Sequence, residues 1–215
     1  MGTNNSAEEN QCCCMLTSEE IEVLKYIFDT ILKTEKPPTI REMQLTLEKS
    51  DDYIIHTLDE LEKKDILLRK GGTQEIVSIY PLSLTPTEHQ IILENGKRLF
   101  AMCAVDALGM PVMFHRRAKI VSQCKKCKKE ITIEIKNERI TRVSHRNIMI
   151  WSPGRQIAPA AETTCPSVNF FCCKEHLEEW TKENPELIGK ISQIKQGFSR
   201  IKHCWRPYGE TLGFR

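Results

Sequence analysis

Ten cysteines lie along 215 residues, and seven of them follow residue 100: Cys103, Cys124, Cys127, Cys165, Cys172, Cys173 and Cys204. Thiols in such number serve as disulfide partners, metal ligands or nucleophiles, and the redox compartment decides among these. Met1 to Asn10 is polar and acidic, unlike a secretory signal. No apolar run approaches the roughly 18 residues needed to cross a membrane. The expectation is a cytoplasmic chain with reduced thiols, where metal binding or thiol chemistry comes ahead of disulfides.

Two constellations could carry that chemistry. Cys124-Lys-Lys-Cys127 has the Cys-x2-Cys spacing that brings two thiolates to one tetrahedral ion, so this pair is a candidate zinc site. Its second pair stays open between Cys165 with Cys172 or Cys173, and Cys173 with His176. The other constellation is Cys103 with Asp106, three residues apart in the apolar run Phe100-Ala-Met-Cys-Ala-Val-Asp-Ala-Leu-Gly109. In a helix that spacing puts thiol and carboxylate on one face. A buried Asp is costly unless it is paired or at work, and a carboxylate beside a thiol is suited to moving a proton. The run Cys12-Cys13-Cys14 lies in a tail, residues 1–15, expected to be disordered. His115, His145 and His203 have no evident partners in the sequence and read as surface or ordinary hydrogen-bonding residues rather than ligands.

The elements that must position these groups fall into two parts. Thr17 or Ser18 can cap a helix whose Ile21, Leu24, Ile27, Phe28, Ile31 and Leu32 recur at helical spacing. Pro37 and Pro38 end it, Thr39 starts a second helix, and Ser50 and Asp51 cap a third. Ile66–Leu68, a Gly71-Gly72 turn and Ile76–Ile79 then suggest a hairpin, so residues 16–80 read as a winged-helix-like module. Its third helix offers Asp51, Asp52, Asp59 and Glu60, a face phosphates would repel, which argues against DNA binding. The net charge of +2, with Lys and Arg interspersed among acids, also points to no nucleic-acid partner. Pro81 and Pro86 mark a linker to a second domain, residues 88–215. There, strands are expected at Ala118–Ser122, Glu130–Lys136 and Ile148–Trp151, a helix from Cys173 to Glu183, and a last strand at Ile188–Ile194. The fold class is α+β with a mainly antiparallel sheet.

The wording of three separated segments adds a resemblance. Arg98-Leu-Phe-Ala-Met-Cys-Ala-Val-Asp-Ala-Leu-Gly-Met-Pro111 resembles the active-site segment of the alkylmercury (organomercurial) lyases. Ala118-Lys-Ile-Val-Ser-Gln-Cys124 resembles the strand that follows it, and Asn169-Phe-Phe-Cys-Cys173 the segment with the second catalytic cysteine. The resemblance covers most of residues 16–200 and fades after Ile194. It implies Cys103 and Cys172 as catalytic thiols that also hold mercury, Asp106 as the catalytic carboxylate, Cys124 as structural and Cys173 as accessory. Cys127 lies outside the correspondence.

The chemistry implied is protonolysis without an organic cofactor. Thiolates are preferred ligands of the soft mercury(II) ion. Two would hold it while a proton relayed by Asp106 reaches the carbon, releasing a hydrocarbon. Cytosolic thiols or a mercuric reductase would then take the Hg(II). Phe100, Met102, Leu108, Phe170 and Phe171 would suit an alkyl or aryl group. Two rival readings are a winged-helix regulator that senses a soft metal, and a zinc-stabilised binding module. The regulator gives Asp106 no task, and the binding module rests on Cys124 and Cys127.

Overall fold

The computed structural model describes residues 16–154 and 159–215, so the Cys12-Cys13-Cys14 run lies outside the described residues. Three helices open the fold: α1 (Ser18–Thr34), α2 (Ile40–Leu47) and α3 (Asp51–Lys63). Each starts where a hydroxyl side chain accepts from a first-turn N–H: Thr17 from Glu20, Thr39 from Glu42 and Ser50 from Tyr53. The first two are reciprocal capping boxes, with the glutamate reaching back to the cap's own N–H. Glu20 is buried and also holds Lys64 at 2.6 Å, which ties the start of α1 to the end of α3.

The hairpin of β1 (Leu67–Arg69) and β2 (Ile76–Ile79) follows, and it does not end the sheet. The stretch read as a linker contains β3 (Leu82–Ser83), bonded to β2 on one side and to β5 (Arg98–Ala101) on the other. Beyond these come β4 (Gln90–Leu93), β6 (Ala118–Gln123), β7 (Glu130–Lys136) and β8 (Arg139–Val143). Together they form one antiparallel sheet in the order β1-β2-β3-β5-β4-β6-β7-β8. The alternation of Ile131, Ile133 and Ile135 is the buried face of β7. A smaller sheet sets β9 (Met149–Pro153) between β10 (Asn169–Phe171) and β11 (Gly189–Gln193). The fold is therefore α+β, as the patterning indicated.

The apolar run after Arg98 is two elements: β5, then helix α4 (Ala104–Met113), with Cys103 as N-cap between them. α7 (Ile194–Thr211), in the region where the resemblance fades, packs on α4 through two close approaches. A Cβ on Gly109 would lie 2.3 Å from the Trp205 indole, and one on Gly209 would lie 2.1 Å from the Met113 carbonyl oxygen. An edge-on aromatic group, Phe28, Phe114 and Phe214, with centroids 5.1 to 6.3 Å apart, joins α1 to the end of α4 and the C-terminus. No helix among the described residues is long and apolar enough to cross a membrane.

Candidate functional site

Cys103 is the N-cap of α4, and the Asp106 N–H donates to its sulfur at 3.4 Å. The three-residue spacing is thus the relation of an N-cap to the first helical turn, which fixes thiol and carboxylate together at the helix's positive end. The third member is Cys165, which opens a short 3-10 turn (Cys165–Ser167) after helix α5 (Ala160–Thr163). Its thiol donates to Asp106 Oδ2 at 3.7 Å. Sulfur, sulfur and a carboxylate oxygen all lie within 4.8 Å of one another, and all three residues are buried. The segment bearing Cys165 is held at both ends. Asp65, just past α3, accepts the Ala160 N–H at 3.0 Å, and the Ala104 N–H donates to the Val168 carbonyl at 3.2 Å.

Burial dominates the electrostatics. It pushes the Asp106 carboxyl up to about 7, against the hydrogen bonds from Cys103 and Cys165 that favour the anion. It also raises the Cys103 thiol well above its usual range, reinforced by the hydrogen bond to Cys165 and the charge of Asp106. The resting centre therefore sets a protonated Cys103 thiol beside a carboxyl poised to take up or release a proton near neutrality. Cys165 opens onto a cavity of about 430 Å³ whose wall includes Met102, His89, Lys125, Pro166 and Asn169. Of the five apolar residues read as a substrate lining, Met102 is the one on this wall. Leu108, Phe170 and Phe171 are fully buried core. His89 is buried against Ser122 Oγ at 2.9 Å, and burial lowers its ring to about 4.

The expected meeting of Cys103 with Cys172 is corrected by this geometry. Cys172 belongs to a second cluster with Cys124, Cys127 and His176, whose ligand atoms also lie within 4.8 Å of one another. The reason is β10. Its three buried residues span about 7 Å and separate the Cys165 turn from Cys172. In the second cluster the Cys172 sulfur is 3.0 Å from His176 Nδ1 and 3.8 Å from the Cys127 sulfur. Burial works to raise the Cys124 thiol, but N–H groups of Cys127, Cys172 and Lys126 and the His176 ring outweigh it and bring the thiol down to about 7. The Cys172 thiol is raised by burial and by its bonds to Cys124 and Cys127. Cys173 caps helix α6 (Lys174–Glu183) and belongs to neither cluster. Cys165 was named in the sequence only as a candidate zinc ligand. The signal that could have found it is a second cysteine-to-Phe-Phe approach, Cys165-Pro-Ser-Val-Asn-Phe-Phe171, one strand ahead of the Cys172-Cys173 doublet.

His115, His145 and His203 each have partners. His115 Nδ1 lies 3.3 Å from Glu138, His145 lies 2.8 Å from Ser144 Oγ, and His203 lies 2.8 Å from the Ser199 carbonyl.

An α+β chain whose two buried thiols close on one carboxyl is a protein equipped for proton-coupled thiol chemistry on a soft electrophile. The comparisons give that class its family. The profile of the alkylmercury lyases (MerB) matches residues 82–205, and the chain belongs to that family. Alkylmercury lyase of Bacillus cereus is 26% identical over 195 residues, covering 88% of this chain and 85% of that one. Alkylmercury lyase of Staphylococcus epidermidis is 28% identical over 134 residues, 61% of this chain and 60% of that one. Among solved structures, the mercury-bound form of MerB2 superposes with a TM-score of 0.78 at 25% identity, covering 92% of this chain and 93% of that one.

Proposed function

We propose that this chain cleaves carbon–mercury bonds by protonolysis, giving a hydrocarbon and Hg(II), with Cys103, Cys165 and Asp106 as the working groups. The carrying observation is their mutual approach within 4.8 Å, out of water. The substrate R–Hg⁺ enters by the cavity that Cys165 lines. One thiol gives its proton to the Asp106 carboxylate and its sulfur bonds to mercury. The second thiol then adds to mercury, and the carbon–mercury bond breaks with its electron pair on carbon. That carbon takes the proton from Asp106, which recovers a proton from the second thiol. The balance is R–Hg⁺ and two thiols giving R–H, a dithiolate-held Hg(II) and one released proton. A carboxyl near 7 can both accept and return a proton at neutral pH. A cytosolic thiol or a mercuric reductase is the natural acceptor of the Hg(II), and a reducing cytoplasm the setting that keeps both thiols competent.

The test is hydrocarbon production. Purified protein with phenylmercury and excess small thiol should release benzene, and Cys103→Ser and Cys165→Ser should each abolish it. Tight mercury binding without benzene would refute the lyase and leave a soft-metal sensor. Full activity in Cys165→Ser would refute the pairing of thiols proposed here.

A further inference from the structure

Outside the proposed lyase centre, four donors converge from three stretches of chain. Cys124 and Cys127 come from the turn between β6 and β7, Cys172 from the end of β10, and His176 from the first turn of α6. We propose that Cys124, Cys127, Cys172 and His176 bind one zinc(II) ion as a closed structural site, and that this ion fixes the segment carrying Cys165. The proposal goes beyond the lyase reading and does not depend on it.

The donor spacings are close to those of a zinc tetrahedron, with the Cys172–His176 edge shorter than the ideal. Zn–S bonds of about 2.3 Å set sulfurs roughly 3.8 Å apart in tetrahedral geometry, and a Zn–N bond of about 2.0 Å shortens the S–N edges slightly. The Cys127–Cys172 sulfurs are 3.8 Å apart, and Nδ1 of His176 is 3.8 Å from Cys124 and 3.0 Å from Cys172. A sulfur–sulfur distance of 3.8 Å is also far outside a disulfide bond. The donor set has no oxygen, which excludes magnesium and calcium and suits zinc. With four protein ligands, no position is left for substrate.

The turn is shaped as a metal knuckle. Lys128 takes a left-handed conformation at φ 61°, its N–H donates to the Cys124 carbonyl at 2.9 Å, and the Cys124 N–H donates to Lys129 at 2.8 Å. Backbone N–H groups of Lys126 and Cys127 point onto the Cys124 sulfur, a second shell that supports a ligating thiolate. Three thiolates and a neutral imidazole leave a zinc complex with one negative charge, and Lys125, Lys126, Lys128 and Lys129 stand in the same turn. Lys126 pairs with Glu183 of α6, docking the turn on the helix that supplies His176. The Lys125 N–H donates to the Phe170 carbonyl at 2.9 Å, so the same turn grips β10. A metal here would bind both ends of that contact and hold the chain running back to Cys165.

The experiment is metal analysis of the full chain purified under reducing conditions without added metal, followed by removal of bound metal and titration with cobalt(II). About one zinc per chain, and intense tetrahedral cobalt bands with sulfur-to-cobalt charge transfer, are expected. Cys127→Ser and His176→Ala should weaken metal binding by more than about tenfold, whereas Cys103→Ser and Cys165→Ser should leave the stoichiometry unchanged. Zinc-free protein that also gives no tetrahedral cobalt spectrum overturns the proposal. So does metal that is lost with Cys103 or Cys165 but kept without Cys127. The cobalt spectrum of the unaltered chain decides the matter even if a variant fails to fold. Because no readout involves hydrocarbon release, failure of the site and failure of the lyase reading are told apart.

Discussion

Replacing Asp106 by Asn tests whether the carboxyl is held protonated by its surroundings. Burial raises it from 3.8 to about 7, a difference of roughly 3 units. At 1.36 kcal/mol per unit, that corresponds to about 4 kcal/mol. The sign follows from proton counting. Below pH 3.8 both folded and unfolded chains carry the proton and the residue contributes nothing to pH dependence. Between pH 3.8 and about 7 the folded state keeps a proton the unfolded state has lost, so stability falls as pH rises. Above about 7 the loss is complete. Asn keeps the shape and removes the charge. Asp106→Asn should therefore be more stable than the parent at pH 8, by up to about 4 kcal/mol, with the advantage shrinking to near zero towards pH 4. Urea unfolding of both proteins at pH steps from 4.5 to 8 measures this, and taking the difference removes every group the two share. The same variant should lose on the order of 10²- to 10⁴-fold in turnover, the usual worth of a positioned proton carrier. A stability difference that does not change with pH would refute the reasoning, because the carboxyl would then be ionised and satisfied at neutrality.

Two further outcomes follow from packing and burial. Gly109→Ala places a methyl 2.3 Å from the Trp205 indole and should cost about 1–3 kcal/mol, read as a lower thermal midpoint. His89, with its ring lowered to about 4 by burial, should show no imidazole titration by NMR between pH 5.5 and 8; a midpoint near 6.5 would mean that the ring is solvated and its bond to Ser122 broken.

How much of this was legible beforehand depended on whether local chemistry or distant contact decided the matter. Thr17, Thr39 and Ser50 announce their helices because a cap acts within one turn. The alternation from Ile131 to Ile135 announces β7 because one face must be buried. β3 was invisible because two residues between prolines carry no period, and only their bonds to β2 and β5 make a strand. The run from Leu99 to Val112 is apolar throughout because strand and helix are both buried there, so no pattern marks the break at Cys103. The pairing of Cys103 with Asp106 is local and could be read. The choice of Cys165 over Cys172 as their neighbour depends on how β10 and the 3-10 turn fold back on α4. Likewise Cys124 and Cys127 were visible as a pair, while Cys172 and His176 reach them only across the β6–β7 turn.

β3 also bears on any attempt to cut the molecule down. The family match opens at residue 82, the first residue of β3, which invites a fragment starting there. Such a fragment would lose β2 and leave β3 as a bare outer strand, its amide and carbonyl groups unbonded along the side β2 had covered. It would also strip Phe28 from the aromatic group at the end of α4, and Asp65 from the turn that leads to Cys165. An open strand beside newly exposed rings is a template for self-association, so the shortened chain should precipitate or form oligomers before it can be assayed.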